Sequence, residues 1–310
     1  MRAVRHTSSG IEILDVPPPT GPGVRVRVRS SGICGTDLVM TKGGPLPFTL
    51  GHEFAGLLDD GSAVAVEPID PCGTCDQCAT GQHQRCRSGP EVFYGIGADG
   101  GLCDEVLVPS RCLHPLPPEL PVADACLAEP TAVALHGLRV AGVGPGQRVA
   151  VIGGGSIGLL VVAGASAAGA DVDLVARHPA QIEAGERLGA GTPRGNYDLV
   201  VDAAGSASAL ATGVELARPG GALLLLAVYF DEVPLQGVPL LSKELTVYNA
   251  MAYSHHDGGS DFGTAVELLA ARPEIADTLI TRRFSLDDAA EAFRAAADRA
   301  SGAIKVVLEP

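Results

Sequence analysis

The chain has 310 residues, 46% hydrophobic and 19% charged, enough to bury one large or two modest cores. A net charge of −14 argues against a nucleic-acid partner, which needs a basic face. The start, MRAVRHTSSGIEILDV, lacks the apolar core of a signal peptide, and the eight cysteines then fit a reducing compartment. A cytoplasmic protein with no membrane partner is expected.

To about residue 125 the chain reads as short β-type runs and turns. Residues 24–29, VRVRVR, alternate as a half-exposed strand should, and 63–67 and 102–108 are further strands. Pro17–Pro19, Pro45, Pro47, Pro115, Pro117 and Pro118 punctuate loops. The character changes near Glu129. A helix is predicted over 131–140, with Pro130 where a first turn tolerates it. Strand 148–152, helix 156–169, strand 171–176, helix 179–188, strand 198–202, helix 207–217 and strands 222–228 and 245–249 follow. Helices 264–271 and 286–298 precede a last strand, 303–308. Strands alternating with helices mean a parallel sheet covered on both faces, so the fold class is α/β with a β-rich first part. Residues 149–170 carry no charge and are long enough to span a bilayer. Their glycines divide them instead into a strand, a turn and a packed helix.

Cys72, Cys75, Cys78 and Cys86 are spaced C-x2-C-x2-C-x7-C in a polar loop. Four thiolates can close a tetrahedral shell around zinc at about 2.3 Å per bond and leave no position for substrate. The cluster is therefore read as structural zinc. Disulfides are disfavoured by the tight spacing, and an iron–sulfur cluster is not excluded by it. Cys103, Cys112 and Cys126 are read as small buried hydrophobes.

Gly153, Gly155, Ser156, Ile157 and Gly158 belong to GGGSIG, a G-x-G-x-x-G that follows an apolar strand and opens an apolar helix. In that context Gly153 allows the turn, Gly155 admits a pyrophosphate, and Gly158 lets helix and strand close up. The phosphates would meet the N–H groups of the helix start. The second strand ends at Ala176, where an NAD site usually has a carboxylate for the ribose; Arg177 and His178 follow. The missing carboxylate and the arginine favour NADP(H) over NAD(H). Asp173 is the one counter-candidate, and it lies mid-strand.

A second metal site is read from Gly32-Ile33-Cys34-Gly35-Thr36-Asp37 and Gly51-His52-Glu53. Cys34 and His52 would be two ligands of an open zinc site, with Glu53 or Glu129 as the third and Asp37 orienting His52 from behind.

With these motifs in hand, the chain resembles the zinc-dependent medium-chain dehydrogenase/reductases, the alcohol, polyol and threonine dehydrogenase family. The matching runs are GICGTD (32–37), GHEFAG (51–56), the four-cysteine lobe (72–86), DGG (99–101), AEP (128–130) and GGGSIG (153–158). The resemblance implies a GroES-like catalytic domain over 1–130, a Rossmann coenzyme domain over 131–253, and a return to the catalytic domain over 254–310. It implies two zinc ions per chain, a small alcohol or ketone substrate, and a homodimer or homotetramer. By position, Cys34, His52 and Glu53 or Glu129 match catalytic-zinc ligands, and Thr36 the hydroxyl that binds the substrate alcohol. Leu226 and Val228 match residues whose backbone faces the nicotinamide, and Lys305 a basic residue near the pyrophosphate. Val39 stands where a proton-relay histidine is common, and LLDDGSAVAVEP is shorter than the family's turn. The carboxylate at Glu129, in place of a cysteine, resembles the polyol, sugar and threonine branches.

The expected activity is interconversion of a secondary alcohol or polyol and its ketone. Zinc would act as Lewis acid on the substrate oxygen, Thr36 would pass the proton outward, and hydride would go to the nicotinamide. The competing reading is a non-catalytic NADPH-binding redox or zinc sensor with a reactive thiolate lobe. A zinc-ribbon nucleic-acid binder is opposed by the charge. His83, His255 and His256 read as exposed, His136 as core, and Phe48, Phe93 and Tyr94 as pocket wall or core.

Overall fold

In the computed structural model the residues described are 1–256 and 258–310, the side chains of Pro90, Val92 and Arg299 excepted. They divide into two compact units, Met1–Glu129 with Ser254–Pro310, and Pro130–Tyr253.

The first unit is built on a mixed sheet. Among the described residues its strands run in the order Ile280–Ser285, Lys305–Glu309, Val24–Gly32, Glu53–Leu57, Ala63–Val66, Leu113–Pro115, with Glu105–Val108 also on Val24–Gly32. The VRVRVR alternation works as expected: Val26 and Val28 are fully buried while Arg27 and Arg29 face solvent. Each such valine contributes about 1.5–3 kcal/mol of burial. The strand continues to Gly32, three residues past the alternation, because its far end is covered on both faces. The turn between Glu53–Leu57 and Ala63–Val66 closes as a hairpin: Leu58 N–H donates to Ser62 C=O at 2.9 Å, and Gly61 takes a φ of +87°. Its shortness is accommodated by that hairpin.

The sequence reading missed the hairpin Arg2–Thr7 with Gly10–Asp15. Ala3 and Val4 are consecutive and both fully buried, each in a different core cluster, so no alternation marks the strand. Also missed were helix Glu274–Leu279 and strand Ile280–Ser285. Phe48 and Tyr94 pack against the two cores, and Cys103, Cys112 and Cys126 are each 1% exposed, with burial foremost in pushing the three thiols up to about 12.

The second unit holds a sheet ordered Thr246–Asn249, Ala217–Leu225, Tyr197–Asp202, Arg148–Ile152, Asp171–Val175, every pair parallel. Arg148–Ile152 comes first in the chain and lies inside the sheet, so strand order reverses beside it. That is where doubly wound sheets bind ligands, beyond the strands' C-terminal ends. The uncharged run 149–170 is strand, turn and the 12-residue helix Ser156–Ala167. No helix among the described residues is long and apolar enough to cross a membrane.

On its outer side, among the described residues, Asp171–Val175 meets only an isolated parallel bridge, Asp173 to Gly191. Polar groups finish that edge. Asp173, 1% exposed, accepts from the Tyr197 hydroxyl at 2.7 Å and from Arg194 Nε at 3.0 Å, and Arg194 also pairs with Asp171 at 2.7 Å. Asp173 is thus a structural anchor and not a ribose ligand.

Candidate active site and metal sites

Strand pairing assembles the candidate catalytic cluster. Gly32 at the end of Val24–Gly32 lies opposite Glu53 at the start of Glu53–Leu57. A Cβ on Gly32 would stand 2.1 Å from Glu53 Oε2, so only glycine lets the carboxylate lie there. His52 immediately precedes Glu53, and Cys34 follows Gly32 by two residues. Register alone therefore brings a thiol, an imidazole and a carboxylate together, and their ligand atoms all lie within 4.8 Å of one another.

Neighbouring elements fix each group. Cys34 caps the helix Gly35–Met40, and Asp37 in its first turn accepts from Cys34 N–H at 2.8 Å through Oδ2. The other oxygen, Oδ1, faces His52 Nδ1 at 3.6 Å. Both atoms are buried without a hydrogen-bond partner, which leaves Asp37 positioned to orient the imidazole. Burial would lower the His52 pKa, but the Cys34 and Asp37 charges outweigh it and hold the imidazole well above its usual range. Thr36 is half-buried in the same helix.

Lys305 requires a correction. The resemblance placed it near the pyrophosphate; its side chain is 3% exposed and spent elsewhere. Strand Lys305–Glu309 runs antiparallel to Val24–Gly32, so Nζ reaches both Glu53 oxygens at 2.8 and 2.6 Å and the Ile33 carbonyl at 3.2 Å. Burial would lower this ammonium's pKa, yet the Glu53 charge raises it to about 12.

Glu129, in the first turn of helix Ala128–Val140, is 9% exposed. Burial, followed by the Glu53 and Asp37 charges, pushes its carboxyl up to about 7 against the pull of His52 and Lys305. Cys34, Asp37, Glu53 and Glu129 thus set four acidic groups against the Lys305 ammonium and the His52 imidazole in a largely dry site. A divalent cation is the charge that such a site lacks, and a thiolate, an imidazole and a carboxylate are zinc donors.

The four-cysteine lobe is equally explicit. All its thiols are free. Cys72 Sγ lies 3.8 Å from Cys78 Sγ, and Cys75 Sγ lies 3.4 Å from it. Bonded sulfurs would be about 2.05 Å apart. Four sulfurs at about 2.3 Å from one tetrahedral ion are about 3.8 Å apart, so the cluster fits zinc. Hydrogen bonds from the Thr74 N–H and hydroxyl lower the Cys72 thiol to about 5, while burial raises Cys78 to about 12.

In the second unit, Gly153 has a φ of +109°, as the tight turn requires. A Cβ on Gly158 would come within 1.8 Å of the Gly153 carbonyl oxygen, whereas one on Gly155 meets nothing within 4 Å. The helix start at Ser156 and Ile157 therefore looks onto open space at Gly155 and is closed behind at Gly158, the form of a pyrophosphate cradle. Ala176 lies at the second strand's end, its Cβ 3.0 Å from where a Cβ on Gly154 would be. Exposed Arg177 donates to the Ser208 hydroxyl at 3.3 Å, and His178 caps the helix Pro179–Arg187. Leu226 is buried and Val228 exposed.

Comparison with known proteins places the chain. Residues 21–118 match the alcohol dehydrogenase GroES-like domain, and residues 125–309 the glucose dehydrogenase C-terminus. Galactitol 1-phosphate 5-dehydrogenase of Escherichia coli K12 is 32% identical over 93% of this chain and 92% of its own length. The chain belongs to the zinc-dependent medium-chain dehydrogenase/reductase family. D-xylulose reductase A of Aspergillus oryzae is 30% identical, covering 87% of this chain and 85% of that relative. A Sinorhizobium meliloti 1021 protein described as a zinc-binding dehydrogenase, solved bound to NADP, superposes with a TM-score of 0.86 at 30% identity over 100% and 99% of the two chains. As a member of this family the chain is a nicotinamide-dependent zinc dehydrogenase of the alcohol/polyol type. The sensor reading finds no support among these relatives.

Two arrangements in this family member escaped the sequence reading. Asp202 ends its strand, accepts from the N–H groups of Ala204 and Gly205 at 2.8 and 3.0 Å, and takes the Tyr229 hydroxyl at 2.5 Å. Its backbone carbonyl accepts from Leu226 and Ala227, so it shapes the segment carrying Leu226 and Val228. A carboxylate ending an apolar strand, VVD, followed by AAG was the available signal. The second arrangement is at Glu67. His255 Nε2 lies 3.1 Å from Glu67 Oε1, and His114 Nε2 2.9 Å from Oε2, so His255 is paired and not merely solvated. Nothing local marks it, because the partners are distant in sequence.

Proposed function

We propose that this protein interconverts a secondary hydroxyl of a polyol and the corresponding ketone, using NADP(H). The observation that carries the reading is the Cys34–His52–Glu53 group, with its imidazole and carboxylate buried, its thiol half-buried and acidic groups in excess around it. The curated relatives, which act on galactitol 1-phosphate and D-xylulose by their names, support the substrate class.

Cys34 Sγ, the His52 nitrogen turned away from Asp37, and a Glu53 oxygen would hold the catalytic zinc. Glu53 is favoured over Glu129 because its oxygen already lies within the 4.8 Å group. Lys305 holds that carboxylate in place through both of its oxygens. The bound groups supply polarisation of the substrate oxygen and a hydride acceptor at the nicotinamide. Asp37 keeps His52 oriented, and the Thr36 hydroxyl accepts the substrate's hydroxyl proton and passes it outward. Glu129, with a carboxyl near neutrality, is suited to take up or release a proton at neutral pH. Cys72, Cys75, Cys78 and Cys86 would hold a second, structural zinc.

The coenzyme would lie on Gly153, Gly155, Ser156, Ile157 and Gly158, with the backbone at Leu226 and Val228 toward the nicotinamide. Ala176 offers no carboxylate to repel a 2′-phosphate, and Arg177 with His178 offers positive charge for it. The NADP bound by the Sinorhizobium relative supports the same choice. A homodimer or homotetramer is part of this reading; the edge strand Thr246–Asn249 and exposed Val238 and Leu241 support it.

The test is initial-rate assay of a panel of polyols, sugars and secondary alcohols with NADP+ and NAD+. Turnover of a polyol with kcat/KM at least about tenfold higher for NADP+ is expected, about the worth of one charge-assisted pair. A clear NAD+ preference would overturn the Arg177 assignment, and no activity on any secondary alcohol would overturn the substrate class.

A further inference from the structure

We propose that Glu67, His83 and His255 form a further divalent-metal site, suited to zinc, that clasps the cysteine lobe to the segment following the second unit. The site goes beyond the proposed function and does not depend on it.

The donors come from three separated stretches of the first unit. Glu67 follows strand Ala63–Val66, His83 opens the turn His83–Arg85 between Cys78 and Cys86, and His255 lies in the short strand His255–His256. Their ligand atoms all lie within 4.8 Å of one another. Nitrogen and oxygen ligands at about 2.0–2.1 Å from a tetrahedral zinc are about 3.4 Å apart. The group is thus open by about 1.4 Å at most, a distance that small side-chain rotations close.

The carboxylate is already held. The Glu67 side chain is 3% exposed, and His114 Nε2 fixes Oε2 at 2.9 Å, the outer-sphere contact that orients a ligating carboxylate. His255 Nε2 lies 3.1 and 3.2 Å from its two oxygens. The His83 and His255 rings stand 4.2 Å apart, centroid to centroid, at 41° to each other. The backbone is fixed as well: His255 N–H donates to Gly81 C=O at 2.8 Å, and a Cβ on Gly81 would stand 2.3 Å from the His255 carbonyl oxygen.

An ordinary ion pair needs one imidazole for one carboxylate. Here His83, His114 and His255 gather about a single buried Glu67, more donors than one negative charge can use as cations. Two imidazoles and a carboxylate are a zinc donor set, whereas calcium and magnesium favour oxygen shells. His83 and His255 are both half-buried, which leaves an entry route and a position for water.

The test is metal content by mass spectrometry of zinc-saturated, desalted protein, wild type against His83→Gln and His255→Gln. The wild type is expected to hold one more zinc per chain than either variant, whatever the total. Equal contents in folded wild type and variants would overturn the site. A readout needing no variant is diethylpyrocarbonate modification of wild-type His83 and His255, mapped by peptide mass. Slowing by at least about fivefold with zinc, and none with calcium, is expected; equal rates with and without zinc would contradict the proposal.

Discussion

Glu53 and Lys305 show how one residue pair sets the character of the candidate active site. Each is buried, and each supplies the other's missing charge. Removing one partner of such a pair leaves an uncompensated charge and costs about 3–5 kcal/mol. Lys305→Met should therefore lower the melting temperature of the first unit markedly, and calorimetry would show it; an unchanged transition would mean that Glu53 finds another partner. Glu129 is the opposite case, a buried carboxyl without a cation of its own. Its pKa is raised to about 7 from an ordinary value of 4.5. Between those values the folded metal-free protein holds a proton that the unfolded chain has released. Stability of the metal-free protein should therefore fall as pH rises through that window, by at most about 3 kcal/mol at 1.36 kcal/mol per unit. Glu129→Gln should remove that slope in chelator-treated protein followed by circular dichroism. Identical slopes in both proteins would contradict the assignment.

Elements carry the next level of the argument, and they explain what the sequence disclosed. The VRVRVR strand, the glycine turn and the cysteine lobe were legible because their chemistry is local: alternation, a G-x-G-x-x-G after an apolar strand, and thiol spacing. Lys305 was misplaced, and Glu67 overlooked, because their partners lie 252 and 188 residues away in the chain, the first brought in by strand register. The grounds for preferring Glu53 to Glu129 as a ligand were likewise invisible, since they depend on Gly32 lying opposite Glu53. Edge strand Arg2–Thr7 hid for a different reason, with consecutive residues buried on opposite faces. The element most exposed to a single substitution is the coenzyme turn. Gly158→Ala drives a Cβ to within 1.8 Å of the Gly153 carbonyl oxygen, a backbone atom that cannot rotate aside. Coenzyme affinity should fall at least about tenfold in fluorescence titration, with zinc content unchanged. Wild-type affinity in that variant would mean that the turn does not hold the pyrophosphate.

At the scale of the whole molecule, the chain divides its labour. One unit, closed by the returning residues Ser254–Pro310, carries all three candidate zinc donor sets, and Pro130–Tyr253 carries the coenzyme fingerprint. In the proposed reading the four-cysteine lobe uses its thiols on structure, and the chemistry rests on Cys34 and His52. Cys34→Ser keeps the helix cap and the volume but weakens the metal's thiolate anchor. The most direct measurement is NADP+-dependent oxidation of the best polyol by wild type and Cys34→Ser, alongside NADPH binding by fluorescence. A loss of kcat of at least about a thousandfold with coenzyme affinity retained is expected, since the step depends on the Lewis acid. Turnover at the wild-type rate in Cys34→Ser would contradict the account.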